Sequence, residues 1–465
     1  MELTINSATT MSQRVEILKR KFVRRAGLPF QDVLSEASIQ AVLTEEEVKY
    51  RNRLYTPMVT IWMFLSQVLK PDKSLSNTVK RARTWLVRDG AEPPSKHTGD
   101  YAKARQRLPE QVLTRLFYQT GEELQSQVEG LDLWYGRTVK LLDGSSVVMS
   151  DAASNQKAYP QHSNQKSGCE FPIAKIVVMF CLSTTAAIGL RIATLNTGEV
   201  TLARSLYETL DPNDVLLGDR TYGTYADLAL VRQRGADGVF RKHQSRKSDF
   251  KRGKRLGKDD YLTTWSRPAH RPQALSPDEF ESLPTTMKVR EVHFSVHRKG
   301  WRTQSVIVVT TLLDPKAYPK VQLADLYGLR WQVEVNLDHI KTTLGMEMLH
   351  GKTPDMVRKE IYVHLMVYNL LRTLMWKAGK QHGVSPLRLS VQGARQSFNQ
   401  FCPLLAETGR IRQQPLYQAL LSLTAESKVP LRPGRSEPRK RKRRPKAFPL
   451  MKKPRSVLKQ ELEAA

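Results

Sequence analysis

The sequence predicts an α/β fold, and three patterns indicate it. Residues 1–135 show mostly helical periodicity, residues 136–235 alternate apolar strands with helices, and residues 236–310 are rich in strand-like alternation. Residues 311–380 return to helix, and residues 381–465 combine helices with a basic tail. Strands that alternate with helices are typical of α/β layer architectures. A chain of 465 residues is long enough to fold as several structural units around a large core.

The N-terminal region is predicted to be a helical DNA-binding domain. Thr44 and Glu47 have the spacing of a capping box, which predicts a helix through residues 45–53. Short helices with exposed Lys and Arg side chains suit contact with DNA, and a helical dimerisation domain is the alternative. Three further helices are predicted, over residues 56–69, 76–90 and 98–109.

The α/β part sets two aspartates within or at the end of apolar strands. The segment "GRTVKLLDGSSVVM", residues 136–149, predicts a strand that contains Asp143. Residues 214–235 predict a strand, then Asp219, a turn and a helix. Between them, the apolar residues 176–190 are too few to span a bilayer and predict two buried strands joined by a turn.

The segment that follows Asp219 and its helix is basic and rich in predicted strands. Residues 241–258 carry nine basic residues and one acidic residue. In residues 288–313, apolar side chains alternate before Gly300 and an apolar run follows it. This pattern predicts a β-hairpin within a β-rich insertion.

The formal net charge of the chain is +29, from 74 Lys and Arg residues against 45 Asp and Glu residues. Residues 435–455 hold 11 basic residues and one acidic residue, which accounts for +10 and leaves +19 for the rest of the chain. Such an excess favours a polyanionic partner, most simply nucleic acid. The three cysteines, Cys169, Cys181 and Cys402, show no CxxC spacing, which argues against a zinc site or a disulfide framework.

The segment "LYGLRWQVEVNLDHIK", residues 326–341, predicts an amphipathic helix with a row of polar and charged groups along it. At about 100° per residue, this row occupies an arc of about 60° beside the apolar stripe. Asn336 falls outside the arc and is predicted to face solvent. A coincidental surface network of i, i+4 pairs is the alternative to a functional row. The row consists of Tyr327, Arg330, Glu334 and Lys341.

Three carboxylates from separate elements, Asp143, Asp219 and Glu334, form a candidate set for metal-dependent phosphodiester cleavage. Mg²⁺ keeps several waters and takes one or two carboxylates per ion, so two ions need several carboxylates. A lone Asp at a strand end is more commonly a helix cap or a turn residue. Three acidic groups in one place would repel one another without a metal, so their combination favours a metal site.

The pattern Y-x2-R-x3-E-x6-K resembles the YREK signature of bacterial insertion-sequence transposases of the fourth insertion-sequence family, which are DDE cut-and-paste enzymes. The segments "LLDGSS" and "LLGDRTYGTY" resemble the surroundings of the first and second Asp in that family. The segment "TGDYAKARQRLP" resembles part of its N-terminal region. The resemblance covers residues 50–450.

The resemblance implies an RNase H-like mixed sheet as the catalytic core, with a β-strand insertion between the second Asp and the Glu. It implies two Mg²⁺ ions, which Mn²⁺ can replace, held by Asp143, Asp219 and Glu334. The implied activity is excision and strand transfer of the insertion sequence through hairpin ends. DNA contacts are implied for the other signature residues and two further positions: Tyr327, Arg330, Trp331, Lys341 and Arg241.

The resemblance also implies the partners: double-stranded DNA as transposon ends and target, a second copy of the chain in the DNA complex, and no membrane. A cytoplasmic, nucleoid-associated location goes with these partners. Two positions differ from some members of the family. Val306 stands where a tryptophan stacks on a flipped base, with Trp301 five residues earlier, and Asp338 stands where a second lysine lies within the signature.

Two other functions stay open on the sequence alone. One is a catalytically silent DNA-binding protein of the same fold, and the three intact carboxylates argue against it. The other is an RNase H-like nuclease without strand transfer, and the basic helical N-terminal region argues for recognition of specific DNA ends instead.

Overall fold

The structure is a computed structural model, and it describes residues 9–51, 53–162, 164, 166, 168–246, 248, 253–295, 305–430 and 449–464. Trp301, the predicted hairpin turn at Gly300 and most of the basic tail lie outside the described residues. Within the described ranges, none of the helices combines the length and the apolar character needed to cross a membrane.

Helices and strands alternate along the chain much as the sequence predicts. In chain order, the α-helices are α1 (Met11–Leu18), α2 (Glu36–Glu45), α3 (Pro57–Leu69), α4 (Leu75–Arg88), α5 (Gly99–Arg107), α6 (Glu110–Gln125), α7 (Ala153–Ala158), α8 (Glu199–Arg204), α9 (Tyr225–Gln233), α10 (Pro277–Glu281), α11 (Lys320–Gly328), α12 (Trp331–Asp338), α13 (Pro354–His382), α14 (Val391–Glu407), α15 (Arg410–Glu426) and α16 (Arg455–Glu463). The strands are β1 (Val139–Met149), β2 (Ile173–Cys181), β3 (Ala187–Thr194), β4 (Val215–Gly218), β5 (Asp237–Arg241), β6 (Lys254–Gly257), β7 (Asp260–Ser266), β8 (Thr286–Ser295), β9 (Ser305–Thr310) and β10 (Met348–Leu349).

The chain divides into two compact units. The first contains residues 1–128, 184–188 and 338–429, and the second contains residues 129–183, 189–337 and 430–465. Asp143, Asp219 and Glu334 belong to the second unit, whereas Lys341 belongs to the first.

The second unit is built on a large mixed sheet with the strand order β3-β2-β1-β4-β5-β9-β8-β7-β6. β1 runs antiparallel to β2 and parallel to β4, and β4 runs parallel to β5. The strands of the predicted insertion continue this sheet, because β9 pairs with β5 and the strands β8, β7 and β6 follow in antiparallel order. The predicted α/β class is therefore confirmed as a mixed sheet combined with helices.

The first unit is helical and has α3 and α13 in its interior. All residues of α3 are buried, as its nearly uninterrupted apolar sequence predicts. Its start is set locally, because the Thr56 side chain accepts a hydrogen bond from the Val59 N–H and Pro57 occupies the first turn. The 29-residue α13 is also buried along most of its length.

One predicted helix of the N-terminal region is wrong. Glu47 is not part of a capping box at the start of a helix over 45–53, since α2 begins after its own cap, Ser35, and ends at Glu45. Glu47 has φ of 48°, a left-handed conformation that does not continue an α-helix. The spacing of Thr44 and Glu47 therefore falls at the end of a helix.

Candidate active site

Asp143 and Asp219 follow equivalent positions of two neighbouring parallel strands. Leu141 of β1 pairs with Leu217 of β4, and each aspartate lies two residues beyond its leucine. Because alternate residues of an extended chain point to the same face, both aspartates project from the face that carries these leucines. The continuous apolar sequence of β4 keeps the strand fully buried in the sheet. The sheet therefore presents two carboxylates side by side.

Local hydrogen bonds orient both carboxylates. The Gly144 N–H donates to Oδ1 of Asp143 at 2.8 Å. The Thr221 N–H donates to Oδ1 of Asp219 at 2.7 Å, so Asp219 caps the 3₁₀ turn Arg220–Tyr222. Asp219 thus has the capping role that is common for an Asp at a strand end, and it is also a neighbour of Asp143.

The ionisation of Asp143 reflects its surroundings. Burial raises the pKa of Asp143 to about 6, and the negative charges of Asp219 and Glu199 act in the same direction. The Gly144 N–H and the positive charge of Arg330 oppose this shift. A buried carboxyl group whose pKa is raised by a neighbouring carboxylate suits a divalent cation, because oxygen ligands are preferred by such ions and the cation relieves the repulsion.

Asp143→Asn is expected to stabilise the metal-free protein at pH 8. Because the folded-state pKa of about 6 lies above the ordinary value of 3.8, ionisation opposes folding. Stability is therefore lost as the pH rises from about 4 through about 6. The permanently neutral Asn avoids this loss, so its melting temperature in EDTA should exceed that of the wild type at pH 8 and approach it at pH 4. The exposed Asp151, changed to Asn, is the control and should show no such pH dependence. If the wild type is more stable than Asp143→Asn at pH 8, the raised pKa of Asp143 is contradicted.

The predicted continuous helix over residues 326–341 is wrong at its beginning. α11 ends at Gly328, and α12 starts only at Trp331. Between them, the Arg330 N–H donates to the carbonyl oxygen of Tyr327, which is a tight i→i+3 turn rather than an α-helical turn. Glycine is a weak helix former, which favours a break at this point. The calculated arc of polar side chains therefore does not hold.

The end of the same segment also departs from an α-helix. Residues His339–Thr343 form a π-helical turn that carries Lys341, within the first compact unit. Asn336, predicted to face solvent, is fully buried. Wide π turns of this kind are frequent at functional sites.

Arg330 links the carboxylates to the signature segment. Its Nη2 lies 2.7 Å from Oε1 of Glu334 and donates a hydrogen bond to it. The charge of the same guanidinium opposes the upward pKa shifts of both Asp143 and Tyr327. Arg330 therefore pairs with the glutamate and also acts electrostatically on the first aspartate.

Tyr327 shares this electrostatic environment with two arginines. Burial raises the pKa of Tyr327 to about 12, the charge of Asp219 adds to this effect, and Arg330 and Arg241 oppose it. Arg241 is the last residue of β5, where it pairs with Val308 of β9.

The predicted site residues are therefore only partly gathered. The structure brings together Asp143, Asp219 and Arg330, and Arg330 pairs with Glu334. Among the residues that the structure describes, no three His, Cys, Asp or Glu side chains form a metal-binding group. Trp331 begins α12 and is 58% exposed.

Sequence reasoning missed a fourth carboxylate, Glu199, which begins α8. Its charge contributes to the raised pKa of Asp143, after the effects of burial and of Asp219. Oε1 of Glu199 accepts a hydrogen bond from Oη of Tyr222 at 2.8 Å. The signal in the sequence is indirect, namely the glycines Gly144 and Gly218 that flank the two aspartates and leave room for neighbouring side chains.

Comparison with known proteins identifies the family. A family model described as "Transposase DDE domain" matches residues 134–370, more than half of the chain. Transposase InsG for insertion sequence element IS4, from Escherichia coli strain K12, is 26% identical over 440 residues, which is 92% of this chain and 94% of that protein. Putative transposase InsL for insertion sequence element IS186A, also from E. coli K12, is 31% identical over 65 residues, or 14% of this chain and 18% of that protein.

Among solved structures, the piggyBac transposase synaptic complex with hairpin DNA matches with a TM-score of 0.43 and 10% sequence identity. The match covers 89% of this chain and 81% of that chain. This similarity is too low to support an argument about the site.

The mixed sheet carries two adjacent aspartates, and the family match covers the same region. Together these observations define an enzyme that cleaves and joins DNA strands. The chain belongs to the transposase DDE domain family. It is a DNA transposase, and the sequence resemblance to insertion-sequence transposases of the fourth family is confirmed. Enzymes of the DDE family generally use divalent metal ions.

Proposed function

We propose that this transposase moves its insertion sequence by a cut-and-paste route in which Asp143, Asp219 and Glu334 hold two Mg²⁺ ions, with Mn²⁺ as a substitute. The observation that carries the proposal is the parallel pairing of β1 with β4, which sets Asp143 and Asp219 side by side. When bound, the ions supply activation of the attacking oxygen and stabilisation of the leaving oxygen. Arg330 holds Glu334 in a defined position at 2.7 Å.

The catalytic core is proposed to be RNase H-like. The strand order β3-β2-β1-β4-β5, with β2 antiparallel to β1 and with β1, β4 and β5 parallel, is that of the RNase H fold and supports this assignment. In this proposal, residues 136–235 and 311–380 are the two parts of the core and residues 236–310 are the insertion.

Five residues are proposed to contact DNA. The charges of Arg241 and Arg330 act at Tyr327, on which the charge of Asp219 acts as well, and these arginines are proposed to bind the phosphate next to the cut. The exposed ring of Trp331 offers a surface on which a base can stack. Lys341, on a π-helical turn of the first compact unit, is proposed as a separate phosphate contact.

The assembly and the route of excision are also part of the proposal. Residues 1–135 are the domain that recognises the transposon ends, and residues 381–465 add a helical region and a basic tail that contribute general affinity for DNA. Two copies of the chain hold two transposon ends, which are released through hairpin intermediates and joined to target DNA. A cytoplasmic location, on the nucleoid when DNA is bound, goes with these substrates.

The experiment that tests this function uses the purified protein and a supercoiled plasmid that carries the element's own two ends. End-specific double-strand excision in Mg²⁺, and binding without cleavage in Ca²⁺, is the expected result. Hairpin ends on a denaturing gel would support the proposed route. End-specific binding without cleavage in either ion would contradict the catalytic proposal, and cleavage of any duplex alike would favour a nuclease.

Lys341→Gln is expected to weaken binding to transposon-end DNA. The plot of the logarithm of the association constant against the logarithm of the salt concentration should become less steep by about 0.9, the amount for one phosphate contact. The measurement is a salt titration of binding by fluorescence anisotropy in Ca²⁺. Lys377→Gln is a matched control in the same compact unit, because Nζ of Lys377 already pairs with Asp32 at 2.6 Å. Equal slopes for Lys341→Gln and the wild type would exclude the phosphate contact.

A further inference from the structure

Strand pairing brings Asp143 and Asp219 next to each other but does not pair them directly. The parallel ladder between β1 and β4 ends at the pair Leu141 and Leu217, so both aspartates lie beyond its last paired residues. On its other side, Asp143 is fixed by pairing with Val178 of β2, but Asp219 has left β4 and is extended. Contacts beyond the ladder therefore contribute to the spacing of the two carboxylates.

Glu199 packs against Gly144, the residue that follows Asp143. A Cβ atom placed on Gly144, the residue after Asp143, would collide with the carboxylate group of Glu199. The glutamate side chain therefore occupies the space that any other residue at position 144 would fill.

Tyr222 packs against Gly218, the residue that precedes Asp219. A Cβ atom on Gly218, the residue before Asp219, would lie 2.9 Å from Cδ2 of the Tyr222 ring. Tyr222 is fully buried and ends the turn that Asp219 caps, so its ring cannot move independently of that turn.

The two side chains meet in a hydrogen bond. Oη of Tyr222 donates to Oε1 of Glu199 at 2.8 Å. Hydrogen bonds to an ionised acceptor are stronger than neutral ones, and burial of the tyrosine strengthens this one further. The result is a continuous bridge that runs from Gly144 through Glu199 and Tyr222 to Gly218.

We propose that Glu199 and Tyr222 are a positioning pair that fixes the spacing of Asp143 and Asp219 and thereby sets the affinity for the divalent cation. The inference rests on the proposed function, in which these aspartates hold metal. Glu199 and Tyr222 belong neither to the YREK signature nor to the three proposed metal ligands, so the inference gives them a role of their own. Partners that orient metal ligands commonly change metal affinity 10- to 100-fold when they are removed, so the effect is measurable.

The test is direct Mn²⁺ binding to the full-length protein, measured by electron paramagnetic resonance of the free ion. Tyr222→Phe removes the hydrogen bond and is expected to raise the Mn²⁺ dissociation constant about tenfold. Tyr225→Phe is the matched control, because Oη of Tyr225 donates to the Pro284 carbonyl oxygen at 2.5 Å, so the control also loses one hydrogen bond of a buried tyrosine. Both variants should lose similar thermal stability, and only Tyr222→Phe should lose Mn²⁺ affinity.

A second pair of variants separates positioning from direct metal binding. Glu199→Gln keeps an acceptor for Tyr222 and should retain most of the Mn²⁺ affinity, whereas Glu199→Ala should lose as much as Tyr222→Phe. Equal losses in Glu199→Gln and Glu199→Ala would make Glu199 a metal ligand and overturn the positioning role. Wild-type affinity in Tyr222→Phe would overturn it too.

Failure of the proposed function gives a different result from failure of the pair. If Asp143→Asn binds Mn²⁺ as tightly as the wild type, Asp143 is not a metal ligand and the proposed function is wrong. The positioning pair then has no metal site to act on. If Asp143→Asn loses Mn²⁺ and Tyr222→Phe does not, the catalytic carboxylates stand and the positioning pair alone is wrong.

Discussion

Asp143→Asn and Asp219→Asn are each expected to lower the rate of DNA cleavage at least ~10³-fold, which corresponds to about 4 kcal/mol of lost transition-state stabilisation. Both side chains project from the same face of two adjacent parallel strands, and loss of either carboxylate leaves the cation with too few anionic ligands. Asn keeps the shape and one acceptor oxygen, so the hydrogen bonds from the N–H groups of Gly144 and Thr221 can persist. The loss should therefore be in chemistry and not in folding.

The measurement is the single-turnover cleavage of a labelled transposon-end duplex in Mg²⁺, together with binding of the same duplex in Ca²⁺. Binding should be retained in both variants. Asp151→Asn, an exposed aspartate of the same compact unit, is the control and should cleave as the wild type does. Cleavage by Asp143→Asn at a rate close to that of the wild type would remove Asp143 from the metal site.

The same substitution links catalysis to stability. Asp143→Asn is expected to be the more stable protein at pH 8, because burial and the neighbouring Asp219 make the ionised carboxyl unfavourable in the fold. A functional group that lowers stability is common at active sites. Higher stability combined with lost cleavage in one variant would point to selection for function at position 143.

The position of both aspartates was predictable because it depends on local sequence. A short run such as "VKLL" before a single Asp, rich in apolar residues, favours a buried strand, and β1 and β4 form as predicted. The resemblance to the family added the roles. The helices α3, α4 and α5 were predictable for the same reason, because the sequence pattern of each helix and, at α3 and α4, a capping side chain act within one segment.

The signature segment was harder to predict because its shape is set beyond the local sequence. The pattern of 326–341 fits a single helix, yet the chain breaks after Gly328 and widens into a π turn at His339–Thr343. A propensity difference of about 1 kcal/mol at a glycine does not decide between a continuous and a broken helix, so tertiary contacts determine the outcome. Burial of Asn336 has the same origin, since hydropathy alone places an amide in solvent.

The role of Glu199 could not be predicted from the sequence. It lies 56 residues from Asp143 in the chain, in a helix of six residues without a recognisable motif. Only the packing of α8 against β1 and the hydrogen bond from Tyr222 bring its carboxylate next to Gly144. Glycines beside catalytic aspartates are the signal that a single sequence offers, because they indicate close approach of another group.

Glu334→Gln is expected to abolish cleavage, with a loss of at least ~10³-fold, while DNA binding stays within about tenfold of the wild type, or about 1.4 kcal/mol. Two interpretations of Glu334 predict different outcomes. As half of an i, i+4 ion pair with Arg330, with 38% of its side-chain surface exposed, it contributes a few tenths of a kcal/mol to stability. Gln still accepts a hydrogen bond from Arg330, so a purely structural role predicts a nearly normal enzyme. A role as the third metal ligand predicts loss of chemistry.

Glu110→Gln is the matched control for this prediction. Oε2 of Glu110 lies 2.7 Å from Nε of Arg358, and both side chains are partly exposed, so the same change weakens a comparable Arg–Glu pair that belongs to the first compact unit. If both variants cleave normally, Glu334 acts only through its pair with Arg330. If Glu334→Gln loses DNA binding by far more than tenfold, the glutamate shapes the DNA-binding surface through Arg330. Loss of cleavage in Glu334→Gln alone, with binding intact, makes the glutamate of the signature the third carboxylate of the active site.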